Sequence, residues 1–255
     1  MPQRVHLSVH IEGTTAAPFL NQLGNIYGKD HVLLYNNELK KLIRFSEVPT
    51  TPGQSVLLTG KKLLTKTPLL PKLLPGLKSP DEEPDRWIDK EEIPDDTAAI
   101  HGHITPDLFD GICENTFLSI VLREPLERMV IQYKQWKKAQ GEVNWRVVLP
   151  YDSEITFPDF AFHKKYRNYQ SKYMGDKRLG DFDVVGVWEY IDAHLCQLKN
   201  EDWSKVKISK NPIPYQRLLK DKKLALTENL IEEFKEYHMK DYYIYRQAKE
   251  FMGYA

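Results

Sequence analysis

Apolar positions along this chain fall into short unbroken runs, separated by stretches in which they recur at helical spacing. The clearest case is Thr116 to Leu122, TFLSIVL, rich in β-branched residues and nearly free of polar ones. That is the habit of a strand buried on both faces, as in a parallel sheet. Arg123 closes the run. Pro125 then suits the first turn of a helix, where its missing N–H costs nothing. Leu126, Met129, Val130 and Tyr133 share one face of that helix. A guanidinium is therefore expected at the carboxyl end of a buried strand, just before a helix N-terminus. In an open α/β sheet that edge is where ligands bind, and helix N-termini favour anions.

The same pattern recurs on either side. Residues 5–10 (VHLSVH) predict a strand, 12–17 a turn, and Phe19, Leu20, Leu23, Ile26 and Tyr27 a helical face. Residues 31–35 predict a second strand and 55–59 a further one, with a short helix over 36–45 between them. An apolar lead-in over 98–105 ends in His101-Gly102-His103, and 142–150 reads as loop or edge strand. A helix is expected over 159–174, a strand over 183–188, a helix over 189–198 and a short strand over 205–209. Two helices close the chain, 227–237 and 241–252. The second turns Tyr242, Tyr245, Ala248 and either Phe251 or Met252 inward. Strands alternating with helices predict an α/β fold, a mainly parallel central sheet with helices on both faces. A single domain spans 1–255, interrupted at 61–97 by a proline-dense excursion. Its prolines forbid a long helix, so it reads as a surface segment, a lid or an oligomer contact.

Charge narrows the possible partners. The chain has 36 basic and 36 acidic residues and no formal net charge. No bulk attraction to nucleic acid or to an anionic membrane is implied. Two distant cysteines make neither a disulfide framework nor a metal site. No run approaches the ~18 apolar residues of a membrane span, and the start lacks a signal pattern. The expected location is cytoplasmic.

Three places carry candidate chemistry. In the first turn, consecutive N–H groups at Gly13, Thr14 and Thr15 could cradle a phosphate, and strand–turn–helix is the unit on which such loops are built. The turn lacks the Gly-Lys-Ser/Thr of a Walker A loop, and an ordinary capped turn explains it too. His101 and His103 stand at i and i+2, so their rings face the same way in an extended segment, with a glycine allowing close approach between them. They could supply a general base, half of a metal site with no third ligand nearby, or merely two surface imidazoles. Lys164, Lys165, Arg167 and Lys172 make a basic face that fits an anionic partner or plain solvation. From it, Lys164 and Arg167 are the candidate substrate-binding residues.

Taken together, these pieces resemble the sulfotransferases that use 3′-phosphoadenosine 5′-phosphosulfate. The closest likeness is to the carbohydrate enzymes of the heparan sulfate 2-O- and chondroitin/dermatan type and their bacterial relatives. Arg123-Glu124-Pro125-Leu126-Glu127-Arg128 through Tyr133 is similar to their R-[DE]-P-x-x-R-x-x-S-x-Y segment, and His101-Gly102-His103 resembles their G-H stretch. Asn168-Tyr169-Gln170-Ser171 through Gly175 looks like N-x-Q-[ST] with its later glycine. FDVVGVWE resembles F-D-x-V-G-x-x-E, and DYYIYRQAKEF is similar to the D-x-x-[LI]-Y-x-x-A ending. The resemblance implies a P-loop-NTPase-like fold, the phosphosulfate nucleotide as co-substrate, no metal, and a hydroxyl acceptor such as a saccharide. It implies Arg123 on the 3′-phosphate, Gly13, Thr14, Thr15, Ala16 and Ala17 around the 5′ side, and His103 as base assisted by His101. The chain departs from the pattern at Gly13, where the family carries a lysine, and at Ile131, where it carries a serine. Those departures motivate an alternative: a degenerate relative that binds nucleotide or an anionic ligand without turnover. A nucleotide kinase is disfavoured by the missing Gly-Lys-Ser/Thr.

Overall fold

The computed structural model describes residues 4–11, 16–36, 41–48, 88–113, 115–138, 153–199 and 215–253. The alternating pattern becomes β1 (Val5–Val9), α1 (Ala16–Tyr27), β2 (Val32–Asn36), β3 (Lys41–Arg44), β4 (Ala99–Gly102), β5 (Thr116–Leu122) and α2 (Pro125–Lys138). The short helices α3 (Phe157–Ala161) and α4 (Tyr169–Lys172) follow, then β6 (Val184–Val187) and α5 (Ile191–Leu198). Last come α6 (Tyr215–Leu219), α7 (Glu228–Tyr237) and α8 (Met239–Phe251). The six strands lie in the order β3-β2-β4-β1-β5-β6. All pairings are parallel except that of β2 with β3. The α/β architecture is as expected.

Alternation along the strands separates two cores. On one face Leu7, Val9, Ile100, Leu118, Ile120 and Leu122 pack with Leu126, Met129 and Val130 of α2. On the other, Val32, Leu34, Ala99 and Val121 meet Phe19, Leu20 and Leu23 of α1 and Ile191 of α5. So the helix after β1 covers one face and the helix after the adjacent β5 covers the other. Their carboxyl ends form a topological switch point, where open α/β sheets place ligands.

Two expected helices are corrected. Instead of a helix within 36–45, β3 forms an antiparallel edge with β2, Leu34 facing Ile43 and Tyr35 facing Leu42. Leu42 packs on the larger core while Ile43 is buried. Neighbouring apolar residues used on opposite sides are a strand's period, not a helix's. The expected helix over 159–174 is broken into α3, a 3-10 turn (Lys164–Tyr166) and α4. Asn168, with φ 51°, makes the break, and its left-handed backbone lets Phe160, Tyr166 and Tyr169 all reach the core. At the end of α8 it is Met252 that is buried, while Phe251 is 63% exposed.

The expected strands at 55–59 and 205–209 and the segment 142–150 lie outside the described residues. Of the excursion only 88–97 is described; there Ile88 is buried in the larger core and a 3-10 turn covers Lys90–Glu92. No helix among the described residues is long and apolar enough to cross a membrane.

Beyond Leu122 a side chain satisfies the main chain. Arg123 N donates to Gln170 Oε1 at 2.9 Å and Gln170 Nε2 donates to Arg123 O at 2.9 Å. Gln170 is fully buried. Asp241 of α8 in turn accepts from Gln170 N at 3.0 Å and Ser171 N at 2.8 Å, capping α4. Glu124 caps α2, its Oε2 accepting from Glu127 N at 2.6 Å. Gln170→Ala strands a buried N–H and a buried C=O. It should destabilise the protein by about 2 kcal/mol or more, read as a lower midpoint in urea unfolding at unchanged slope.

Candidate functional site

Three adjacent parallel strands deliver polar groups to one edge. β1 leads into His10, β4 carries His101 and leads into His103, and β5 leads into Arg123. The register sets Ser8 opposite both His101 and Ser119, and His6 opposite Phe117. Partners in register point to the same face. Hence His6, Ser8, His101 and Ser119 lie on the α1 side, and the alternation carries His10, His103 and Arg123 the same way.

The two histidines expected to share a space do so, and a third joins them. The His10 ring lies 4.6 Å from that of His103 and 5.3 Å from that of His101, between centroids. Phe19 of α1 lies 5.7 Å from His101, and Tyr173 lies 5.9 Å from His103. They do not sit alike. His101 is 5% exposed, and its Nδ1 is 2.9 Å from Ser8 Oγ. Burial, then the charge of His103, holds its pKa down to about 3. Burial, then His103 and His101, also keeps His10 well below the usual range. By exposure of the whole residue, His10 and His103 are both half-buried. Gly102 does not serve to bring the two imidazoles together: a Cβ there would meet Tyr35 Cβ at 2.8 Å and Tyr35 O at 3.1 Å. The glycine is required by the close approach of β2.

Arg123 reaches the expected edge but turns to a partner. Its Nε donates to Glu127 Oε1 at 3.1 Å, Nη2 pairs with the same carboxylate, and the guanidinium lies 4.9 Å over the Trp188 ring. Behind it Glu189 accepts from Tyr245 OH at 2.5 Å, and burial raises the Glu189 carboxyl. Any anion at Arg123 meets a guanidinium already balanced by Glu127.

Gly13, Thr14 and Thr15 lie outside the described residues; Ala16 and Ala17 open α1. Lys164 is exposed in the 3-10 turn, and Arg167 lies 5.0 Å over the Tyr237 ring. They are not on one helix face, because the segment bends between α3 and α4. The residue of this segment that packs on the histidines is Tyr173.

Sequence reasoning passed over the polar groups beneath α1. His6 Nε2 is 2.6 Å from Ser119 Oγ, and His6 Nδ1 is 3.2 Å from Tyr27 OH. His194 of α5 is fully buried, stacks on Phe19 at 5.2 Å, and has no hydrogen-bond partner at either ring nitrogen. Gly186 makes room for it, since a Cβ there would lie 2.5 Å from His194 Nδ1. The legible signal was the alternation His6-Ser8-His10, polar at every second position of a strand that is otherwise core.

Asp107, Asp110 and Asp176 gather their carboxylates near the surface. Lys177 Nζ lies 3.2 Å from Asp110 and 3.2 Å from Asp176, so a cation of the protein already sits against them. No protein-family model matches the chain, and no curated protein matches its sequence.

Burial holds His6, His101 and His194 at about 3, against 6.5 for the free side chain. Between those values the unfolded chain binds more protons than the folded one. Their contribution to stability is therefore complete above 6.5 and is lost as pH falls toward 3. Folding stability should drop between about pH 7.5 and about pH 5. His194→Leu, which removes one such imidazole and its two unpaired nitrogens, should flatten that drop in urea unfolding at the two pH values.

Proposed function

We propose that this chain is an O-sulfotransferase. It moves a sulfuryl group from 3′-phosphoadenosine 5′-phosphosulfate to a hydroxyl of an acceptor of the carbohydrate class. One observation carries the reading: three imidazoles and Arg123 come to the carboxyl edge at the switch point between β1 and β5. Taken alone, the parallel strands run β2-β4-β1-β5-β6, with β1 at the middle. That strand order is compatible with the P-loop-like organisation the resemblance implies.

In this reading the acceptor hydroxyl lies against His103. Its oxygen attacks sulfur as the proton passes to the ring, and the bond from sulfur to the 5′-phosphate oxygen breaks. Charge builds on the departing phosphate, and the N–H groups of residues 13–17 are assigned to receive it. Arg123 holds the 3′-phosphate, sharing its guanidinium with Glu127 or giving that partner up. Lys164 and Arg167 serve an anionic acceptor.

A second reading has its own support. Glu127 balances Arg123, and burial keeps His10 and His101 neutral. A relative that binds nucleotide without turnover needs neither a strong base nor the missing lysine. Calorimetry with adenosine 3′,5′-bisphosphate decides first: binding is expected, weakened about tenfold or more by Arg123→Ala, a loss of about 1.4 kcal/mol. His103→Ala should keep that affinity and abolish transfer of labelled sulfate to a saccharide panel. Binding without transfer by the unaltered protein selects the second reading; absence of binding rejects both.

A further inference from the structure

Beneath α1 the two His–Ser pairs face each other across β1. Ser8 and Ser119 are direct partners in the register of β1 with β5. Ser8 Oγ holds His101 Nδ1 at 2.9 Å, and Ser119 Oγ holds His6 Nε2 at 2.6 Å. The far nitrogen of His6 is 3.2 Å from the hydroxyl of Tyr27, which is half-buried. The far nitrogen of His101, Nε2, is buried without a hydrogen-bond partner, and its ring lies 5.3 Å from that of His10. Between the pairs lies a cavity of about 10 Å³, lined by Ser8, His10, Phe19, His101 and Ser119. That is the lower bound of room for one water, and the serines supply the polar partners a buried water needs.

We propose that one water in this cavity joins the two pairs into a continuous proton relay, running from His101 Nε2 through Ser8, the water, Ser119 and His6 to Tyr27. The chain has two settings. In one, His101 Nδ1–H donates to Ser8, Ser8 to the water, the water to Ser119, Ser119 to His6 Nε2, and His6 Nδ1–H to Tyr27, whose own proton faces solvent. Nε2 of His101 then presents a lone pair. A proton arriving there reverses every bond in turn, and Tyr27 releases one proton to solvent. One proton enters, one leaves, and no imidazolium is formed along the way. This matters because burial makes the cations of His6 and His101 costly. A neutral relay lets a sunken imidazole drain protons that it could not hold as charge. Ser8, Ser119, His6 and Tyr27 act through His101 and are positioning residues. The catalytic meaning, clearing the proton taken from an acceptor, rests on the transferase reading; the relay itself does not.

The test uses the whole protein with ¹⁵N-labelled histidine, at neutral pH and without nucleotide. Tyr27→Phe removes a single hydroxyl at the far end and should fold normally. It is expected to move the ring ¹⁵N signals of His101, which hydrogen-bonds to Ser8 and not to Tyr27, by changing the balance of its two tautomers. Ser119→Ala should abolish that response while backbone amide shifts around His101 stay in place. A high-resolution crystal structure should show a water between the two serine hydroxyls. Identical His101 ring signals in the unaltered protein and Tyr27→Phe would overturn the relay, as would a dry cavity. Failure of adenosine bisphosphate to bind rejects both readings of the function and leaves the relay standing, since none of these measurements involves nucleotide.

Discussion

The paired hydrogen bonds between the Gln170 amide and the Arg123 peptide hold the working edge of the sheet together. β5 must stop, and its next residue must leave the sheet with its own N–H and C=O still satisfied, since a buried unpaired backbone group costs about 1–3 kcal/mol. Gln170 answers both groups at once, each at 2.9 Å. With the main chain fixed there, Glu124 can cap α2 and Arg123 can lie against Trp188 and Glu127. Gln170 is itself fixed from behind by Asp241, whose carboxylate takes two N–H groups at the start of α4. Burial raises the Asp241 carboxyl, and Arg128, fully buried over the Tyr169 ring at 5.0 Å, supplies nearby positive charge that opposes this in part. A chain of contacts thus runs from the last long helix to the end of the central strand.

That chain gives physical content to sequence motifs that are far apart. Asp241 and Tyr245, one turn apart on α8, reach respectively the Gln170-Ser171 corner and Glu189 beyond β6. His238, just before α8, accepts from Asn168 N and faces the carbonyl of Ala161. Both of its ring nitrogens are committed, and burial keeps its pKa down at about 4. The closing helices act less as a lid over the core than as a brace for the edge where β5 and β6 end.

The two faces of the sheet differ in kind. The α2 face is apolar at the centre of its strands, at Leu7, Val9, Ile100, Leu118, Ile120 and Leu122. The α1 face mixes Phe19, Leu20 and Leu23 with His6, Ser8, His101, Ser119 and His194. Buried imidazoles are tolerable when neutral and hydrogen-bonded, and three hydrogen bonds meet that need for His6 and His101, while His194 has the Phe19 ring against it. The cost falls on stability in acid, and the benefit is a polar seam reaching from the interior to the ligand edge.

Periodicity alone was enough for the α/β class, the strand at Thr116–Leu122, the helix opened by Pro125 and the placement of Arg123 between them, because each follows from local burial and chain geometry. It also brought His101 and His103 to one place. It failed at β3, where a free edge at β2 turned a short amphipathic segment into a strand, and over 159–174, where packing of three aromatics demanded a bend at Asn168. Which imidazole lies inside, which partner balances Arg123, and that Ser8 and Ser119 stand face to face were decided only by tertiary structure. The buried imidazoles and the facing serines depend on strand register and on residues far apart in sequence, and a one-residue slip would have sent them to the other face, while Arg123 met Glu127 only once the end of β5 was fixed.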